Sequence, residues 1–275
     1  MDLDRVQKPL RQLRKSLKRL PDDPPPEAVH KLRTRARHIE AIAAALTSPD
    51  EKKTRRLLKS IKPVRKAAGN VRDMDVLTSN ALTLPQNDGQ ESLVRLIEHL
   101  GVARQKSASD LLDTVDQQRK SARRLLKQYA KRVESTLDHK NARQPSGSSA
   151  QAAQHVQAVV ANRIDELRRW PAFSARNIHP FRLKVKELRS ILQLLPDADS
   201  NLVSALGSVK DQIGDWHDWQ QLAQTAAEML DSSEDRALLT QINKIGKQKL
   251  SHALASANAL RKRYFRLSSR HRASG

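Results

Sequence analysis

The sequence predicts an all-α protein of eight helices, arranged as two four-helix bundles that are related by pseudo-two-fold symmetry. Three observations favour this architecture. Glycine is scarce, with 8 in 275 residues, whereas the helix-favouring residues Leu, Ala, Arg, Lys and Gln are abundant. Apolar residues recur at three- and four-residue steps, and strand-like alternation is almost absent. Two motifs of the first half recur in the second half in the same order, which indicates an internal duplication.

The first half is predicted to hold four helices. The first covers about 2–20, because its apolar residues form one continuous stripe, and the proline-rich segment 21–26 ends it. The members of that stripe are Leu3, Val6, Leu10, Leu13, Leu17 and Leu20. The second helix covers about 27–46, the third about 49–82, and a long helix or bent pair covers about 91–138.

The second half is predicted to hold four more helices. Residues 141–150, NARQPSGSSA, form the best linker in the chain, so 1–140 is taken as the first half and 151–275 as the second. The four helices are predicted at about 151–170, 177–195, 199–231 and 233–267.

The first repeated motif, His-x-x-Arg-x-x-x-Arg/Lys, occurs at residues 30–37 and again at 179–186, an offset of 149. Its members are His30, Arg33 and Arg37 in the first copy and His179, Arg182 and Lys186 in the second, where Arg189 extends the stripe. At about 100° per residue the basic side chains of each copy lie on one helix face and the apolar ones on the opposite face. A solvated outer face is the alternative interpretation, although such faces usually mix charges of both signs.

The second repeated motif occurs at residues 64–77 and 209–222, an offset of 145. It comprises Val64, Arg65, Gly69, Asp73 and Leu77, matched by Val209, Lys210, Gly214, Asp218 and Leu222. A glycine inside a helix costs about 1 kcal/mol relative to alanine, and it is tolerable where helices cross closely or the chain bends. The two aspartates are interpreted as structural partners of a basic or backbone group rather than as catalytic acids.

Further stripes of one charge sign occur outside the repeated motifs. Their members are Arg55, Lys59, Lys62 and Lys66 on the third helix and Arg119, Arg123, Lys127 and Lys131 on the fourth. Like charges at this spacing repel by a few tenths of a kcal/mol per pair, so an anion plausibly matches them. A solvent-facing role for each stripe is an equally good interpretation.

Charge dominates the composition, because 51 Lys and Arg against 30 Asp and Glu give a formal net charge of +21. The net charge is +14 over residues 1–150 and +7 over 151–275. Such a balance indicates a polyanionic partner, for which nucleic acid, an anionic membrane and polyphosphate all qualify. The chain has no cysteine, its first residues have no apolar signal-peptide region, and its apolar run at 41–46 is too short to span a bilayer. We therefore expect a cytoplasmic protein without membrane insertion.

These motifs resemble the CHAD domain, the conserved-histidine α-helical domain. The resemblance is carried by HKLRTRARHIEAI (30–42) and HPFRLKVKELRSI (179–191), together with VRKAAGNVRDMDVL (64–77) and VKDQIGDWHDWQQL (209–222). The resemblance implies two four-helix bundles with a basic cavity or groove between them, and an association with inorganic polyphosphate and its granules. It implies a binding set of His30, Arg33, Arg37, His179, Arg182, Lys186 and Arg189.

The sequence departs from the family pattern at four positions. Glu40 stands where the family usually has Arg, His38 and Glu187 stand where a second basic residue is common, and Gln220 replaces the second Asp. Equal roles for the two halves are therefore in doubt.

The predicted function is non-catalytic binding of inorganic polyphosphate, with no cofactor and no metal. Arg65 and Lys210 join the binding set, and the stripe of Arg55, Lys59, Lys62 and Lys66 forms a weaker one. Arg and Lys suit phosphate oxygens, and His can add a donor. Nucleic-acid binding through the same basic faces is the alternative, although 8 aromatics in 275 residues offer few stacking platforms. A metal-dependent hydrolase is a third interpretation, but the sequence contains no H-E-x-x-H and no Gly-rich phosphate loop.

Overall fold

The computed structural model describes residues 3–46, 51–85, 90–138, 148–193, 195 and 197–265. Within these residues the regular elements are eight α-helices, as predicted. The first four are α1 (Leu3–Lys18), α2 (Pro26–Leu46), α3 (Lys52–Ala81) and α4 (Gln90–Asp138). The other four are α5 (Ser148–Arg168), α6 (Ile178–Leu192), α7 (Ser200–Met229) and α8 (Arg236–Tyr264).

The helix boundaries differ from the predicted ones by a few residues. The segment predicted as a long helix or bent pair is one helix, α4, of 49 residues. Helix α5 begins at Ser148, inside the predicted linker, whose earlier part lies outside the described residues. Helix α7 begins where it does because the Asp199 carboxylate accepts hydrogen bonds from the backbone N–H groups of Asn201, at 2.8 Å, and Leu202, at 3.3 Å.

The described part of the chain has two main apolar cores: the first is formed mostly by α1–α4 with contributions from α5 and α6, and the second is formed by α5–α8. Val6, Leu10, Leu13 and Leu17 of the predicted first stripe are buried, and they pack with Leu32 and Ile39 of α2 and with apolar residues of α3 and α4. In the second half, Phe181 of α6 is fully buried, and the rings of Trp170 and Phe173 meet it edge-on. These two cores hold α2 and α6 with their basic faces directed away from the buried apolar residues.

A third core joins the two halves at one end of the molecule. It is formed by the last turns of α3, the first turns of α4, and the corresponding parts of α7 and α8. Its members include Leu77, Leu96, Leu100, Trp219, Leu222 and Ile242. Trp219, interpreted from the sequence as a packing residue, is 5% exposed here, and Trp216 is buried in the second-half core.

A buried carboxylate supports this third core. Asp235, at the start of α8, is completely buried and accepts hydrogen bonds from Arg95 Nη2 at 2.5 Å, from Ser92 Oγ and from Ser232 Oγ at 2.8 Å. These bonds link the first turns of α4 and α8, so the halves are held together by polar as well as apolar contacts. Helix pairs α2–α6 and α3–α7 also contact each other, which places the repeated motif helices side by side.

Among the described residues, no helix combines the length and apolarity needed to cross a membrane.

Candidate functional site: a basic cavity between the repeated helices

The repeated motif helices α2, α3, α6 and α7 enclose a cavity of about 490 Å³, called the central cavity below. Of the described residues that line it, seven are arginine or lysine, four are histidine and three are aspartate. The lining residues are His30, Arg33, Thr34, Arg37, His38, Arg72, Asp73, Val76, His179, Arg182, Leu183, Lys186, Arg189, Ser190, Gln193, Lys210, Asp211, His217, Asp218 and Gln221.

The structure brings most of the predicted binding set to this one place. Eight of its members line the central cavity: His30, Arg33, Arg37, His179, Arg182, Lys186, Arg189 and Lys210. Arg65 does not line it, because its Nε donates to Glu40 Oε1 at 2.7 Å across the α2–α3 contact. The weaker set, Arg55, Lys59, Lys62 and Lys66, is exposed on α3 outside the cavity.

The cavity is lined by matched positions of the two halves. Seven positions on α2 and α3 and their counterparts at offsets of 149 and 145 residues all line it. The pairs are His30 and His179, Arg33 and Arg182, Thr34 and Leu183, Arg37 and Lys186, Arg72 and His217, Asp73 and Asp218, and Val76 and Gln221. The repeated motifs therefore face each other across one cavity.

The matched glycines leave room for arginine side chains. A Cβ on Gly214 would lie 2.6 Å from Arg182 Nη2, so the guanidinium occupies the space that a side chain on α7 would take. Arg182 Nε also donates to the backbone oxygen of Lys210 at 3.1 Å. At the matched position, a Cβ on Gly69 would lie 3.6 Å from Arg33 Nε, which is ordinary contact.

Arg189 is held in the same way about two turns further along α6. Its Nε donates to the backbone oxygen of Val203 at 3.3 Å and lies 3.1 Å from the position of a Cβ on Gly207. Two arginines of α6 therefore pack against two glycines of α7, and both arginines line the cavity.

Other polar atoms of the cavity have no protein partner among the described residues. They are Arg37 Nε, His179 Nδ1 and His217 Nδ1, all of them buried. The rings of His179 and His217 lie 4.1 Å apart, centroid to centroid. Buried polar atoms normally find a partner, so these atoms are available to a ligand.

Burial and repulsion between neighbouring cations lower the pKa values of basic side chains in the cavity. Burial, followed by the charge of Arg33, lowers the pKa of Arg37 to about 10. Burial, followed by the neighbouring Arg37, Arg182, Arg33 and Lys210, lowers the pKa of Lys186 to about 7. An anion in the cavity would favour the charged forms and so raise the pKa values of both groups.

The two motif aspartates lie among these cations. Burial raises the pKa of Asp73 although Arg33 and Arg37 oppose the shift, and burial raises the pKa of Asp218 to about 6 although Arg182 opposes it. The carboxylates therefore neutralise the surrounding charge only in part.

The family model of the CHAD domain matches residues 4–227 of this chain. The chain belongs to the CHAD-domain family. Among solved structures, the crystal structure of the CHAD domain from the plant Ricinus communis is similar, with a TM-score of 0.54 and 18% identity. The likeness covers 97% of this chain and 88% of the plant chain, and at this identity it shows the fold alone. No curated protein matches this chain.

Sequence reasoning missed three basic side chains of this CHAD domain's cavity, namely Arg72, His38 and His217. The offset of 145 residues that aligns Asp73 with Asp218 also aligns Arg72 with His217, so the second repeat contained the necessary signal. His38 had no such signal, because its counterpart at the offset of 149 is Glu187.

Two of the four departures from the family pattern, Glu40 and Glu187, have structural partners. Glu40 accepts from Arg65, and Glu187 accepts from Arg163 of α5. Asp75 is nearly buried and accepts from Arg104 Nε of α4 at 2.8 Å, whereas its counterpart Gln220 is exposed. These acids stabilise contacts between helices rather than lining the cavity.

A second and larger cavity has a different character. It measures about 940 Å³ and lies at the first turns of α4. Among the described residues that line it, Arg95 is the only arginine or lysine. Across the described residues, no three or more His, Cys, Asp or Glu side chains are grouped so as to hold a metal ion.

Proposed function

We propose that this CHAD domain binds inorganic polyphosphate, without catalysis, in the central cavity. The observation that carries the proposal is the convergence of seven Arg and Lys side chains from both repeats on one cavity, where the described lining residues include only three carboxylates. Because like charges that are buried together raise the free energy of the empty fold, their presence favours an anionic ligand as the compensating group. The same matched lining supports an origin of the two halves by duplication.

The chemistry of the lining suits phosphate oxygens. Arginine donates through several N–H groups and can bind two oxygens at once, and lysine adds a mobile point charge. Arg37, His179 and His217 each present a buried nitrogen that has no hydrogen-bond partner in the described part of the chain. A flexible chain of phosphates can follow these donors from one wall of the cavity to the other.

The cavity is less suited to nucleic acid. A duplex, with a major groove about 12 Å wide, is too large for a space of about 490 Å³. Among the described residues, the lining contains no Phe, Tyr or Trp on which the bases of a single strand could stack. Polyphosphate presents the same charges without bases, and we therefore expect it to bind more tightly. In cells, we expect the protein in the cytoplasm and on polyphosphate granules.

The test compares polyphosphate with single-stranded DNA of the same phosphate count in one buffer at about 0.15 M salt. The wild type, Arg33→Ala/Arg182→Ala and a control that loses two exposed arginines, Arg124→Ala/Arg236→Ala, would be measured side by side. We expect tighter binding of polyphosphate, strong weakening by the cavity variant and little change in the control.

The salt dependence provides a second readout. By the rule for single strands, each neutralised phosphate contributes about −0.7 to the slope of log affinity against log salt, so six to nine contacts give roughly −4 to −6. A slope near −1, or DNA binding equal to polyphosphate binding and insensitive to the cavity variant, would overturn the proposal.

A further inference from the structure

Helix α3 has one basic face that continues beyond the central cavity. Its C-terminal part contributes Arg72, Asp73 and Val76 to the cavity lining, and Gly69 meets Arg33 one turn earlier. The α3 basic stripe consists of Arg55, Lys59, Lys62 and Lys66. At about 100° per residue, its members lie within roughly 40° of Asp73 around the helix axis. The stripe therefore leads away from the cavity along the same face of α3.

The stripe is exposed along its whole length, and its helix segment supplies no compensating charge. All four side chains are exposed, and no acidic residue occurs from 52 to 72. Glu51, just before the helix, accepts from Arg132 of α4, and Glu40 of α2 accepts from Arg65. The three lysines thus have no carboxylate on their own helix within a turn.

The corresponding face of α7 lacks such a stripe. Carried forward by 145 residues, the stripe positions become Ser200, Ser204, Gly207 and Asp211. Gly207 seats Arg189, and Asp211 pairs with Lys210 at 2.6 Å. The basic face therefore extends out of the cavity over the first half only.

We propose that the α3 basic stripe is an extension of the cavity site, over which a polyphosphate chain too long for the cavity continues across Lys66, Lys62 and Lys59. This inference rests on the proposed function and adds chain-length selectivity to it. From Gly69 to Arg55 the helix rises about 21 Å, with one cation every three or four residues. A long chain gains these contacts, whereas a chain that fits inside the cavity does not.

The experiment measures binding of tripolyphosphate and of a long-chain polyphosphate by calorimetry at several salt concentrations. The stripe variant is Lys59→Ala/Lys62→Ala/Lys66→Ala. The matched control, Lys244→Ala/Lys247→Ala/Lys262→Ala, removes three exposed lysines of α8. For the stripe variant we expect about tenfold weaker binding of the long chain, as three exposed charge contacts suggest. Its salt slope should become shallower by about 2, while tripolyphosphate binding stays unchanged.

Each other outcome is decisive. If the stripe variant binds the long chain as tightly as the wild type does, the extension is refuted and the cavity proposal stands. The same conclusion follows if the stripe variant binds both ligands more weakly, to the same extent as the control variant. If the wild type binds neither ligand, the proposed function fails and the extension fails with it.

Discussion

The two walls of the central cavity are built from matched helices, yet they hold their arginines differently. On the α6–α7 wall, Arg182 and Arg189 donate through Nε to backbone oxygens of α7 and pack against Gly214 and Gly207. On the α2–α3 wall, Arg37 Nε has no protein partner among the described residues, and Arg33 only makes ordinary contact with Gly69.

This difference separates a preorganised wall from an adaptable one. Side chains already held in position lose less conformational freedom when a ligand binds, so the α6–α7 wall should contribute more affinity per cation. The α2–α3 wall has in Arg37 an arginine whose Nε lacks a partner among the described residues, and it continues into the α3 basic stripe, so it should adapt to the course of a longer chain. The same motif therefore holds its arginine closer to the matched glycine in the second half than in the first.

The largest expected effect comes from removing the preorganised wall. Arg182→Ala/Arg189→Ala should weaken tripolyphosphate binding about 100-fold or more, since each charged hydrogen bond contributes roughly 1.5–3 kcal/mol. Calorimetry at fixed salt measures this loss. Arg176→Ala/Arg236→Ala, which removes two exposed arginines, should bind like the wild type. Equal binding by the two variants would show that the preorganised wall does not contact the ligand.

Lys186 tests whether cavity charge opposes folding. Lys186→Met removes a cation that burial and four neighbouring cations disfavour, so the free energy of unfolding of the empty domain should rise by about 1 kcal/mol. Polyphosphate affinity should fall about tenfold. Denaturant titration and calorimetry measure the two quantities. A variant that loses both stability and affinity would contradict the assignment of Lys186 as a strained ligand-binding cation.

The same lysine predicts a pH dependence of fixed sign. Its pKa of about 7 in the fold lies below the ordinary 10.5, so between these values the unfolded chain holds the proton and the empty fold does not. Stability of the empty domain should therefore rise with pH from about 7 to 10.5, and less so in Lys186→Met. Polyphosphate affinity should fall across the same range, because the free domain loses the charge that the ligand needs. Lys186→Arg should flatten the affinity profile, and an unchanged profile would exclude Lys186 as the titrating group.

The sequence could predict the eight helices because apolar stripes such as that of α1 repeat at helical steps. It could also predict most of the cavity, since the His30 and His179 motifs place their cations opposite the buried face. The pairing of Arg65 with Glu40 escaped prediction because it depends on how α2 and α3 are aligned. The third core escaped prediction for a similar reason. The sequence around Trp219 indicates a buried residue but not which half of the chain packs against it.

A smaller effect should separate the two motif glycines. Gly214→Ala displaces the Arg182 guanidinium, because the new Cβ would lie 2.6 Å from Nη2, and it should weaken tripolyphosphate binding several-fold. Gly69→Ala meets Arg33 at 3.6 Å and should leave affinity unchanged while stabilising α3 by up to about 1 kcal/mol. Calorimetry and thermal unfolding of both variants test the contrast. Equal losses of affinity would mean that the two arginines pack against their matched glycines in the same way.

The smallest effect is expected at Glu40. Glu40→Gln releases Arg65 from its ion pair, and polyphosphate affinity should rise about two- to threefold, in line with a partly exposed pair worth less than about 1 kcal/mol. Arg65→Ala alone should change affinity little, because its guanidinium is already engaged. A large loss in Arg65→Ala would place that arginine in the binding set despite its contact with Glu40.

The most direct test of binding in the central cavity follows the arginine Nε–H signals by NMR while tripolyphosphate is added. The signals of Arg33, Arg37, Arg182 and Arg189 should shift together and saturate at one ligand per chain, with the Arg37 signal moving strongly as its unpartnered Nε gains an acceptor. The signals of exposed Arg124 and Arg236 should stay in place. Shifts confined to exposed arginines, with the four cavity signals unchanged, would contradict a phosphate-binding cavity.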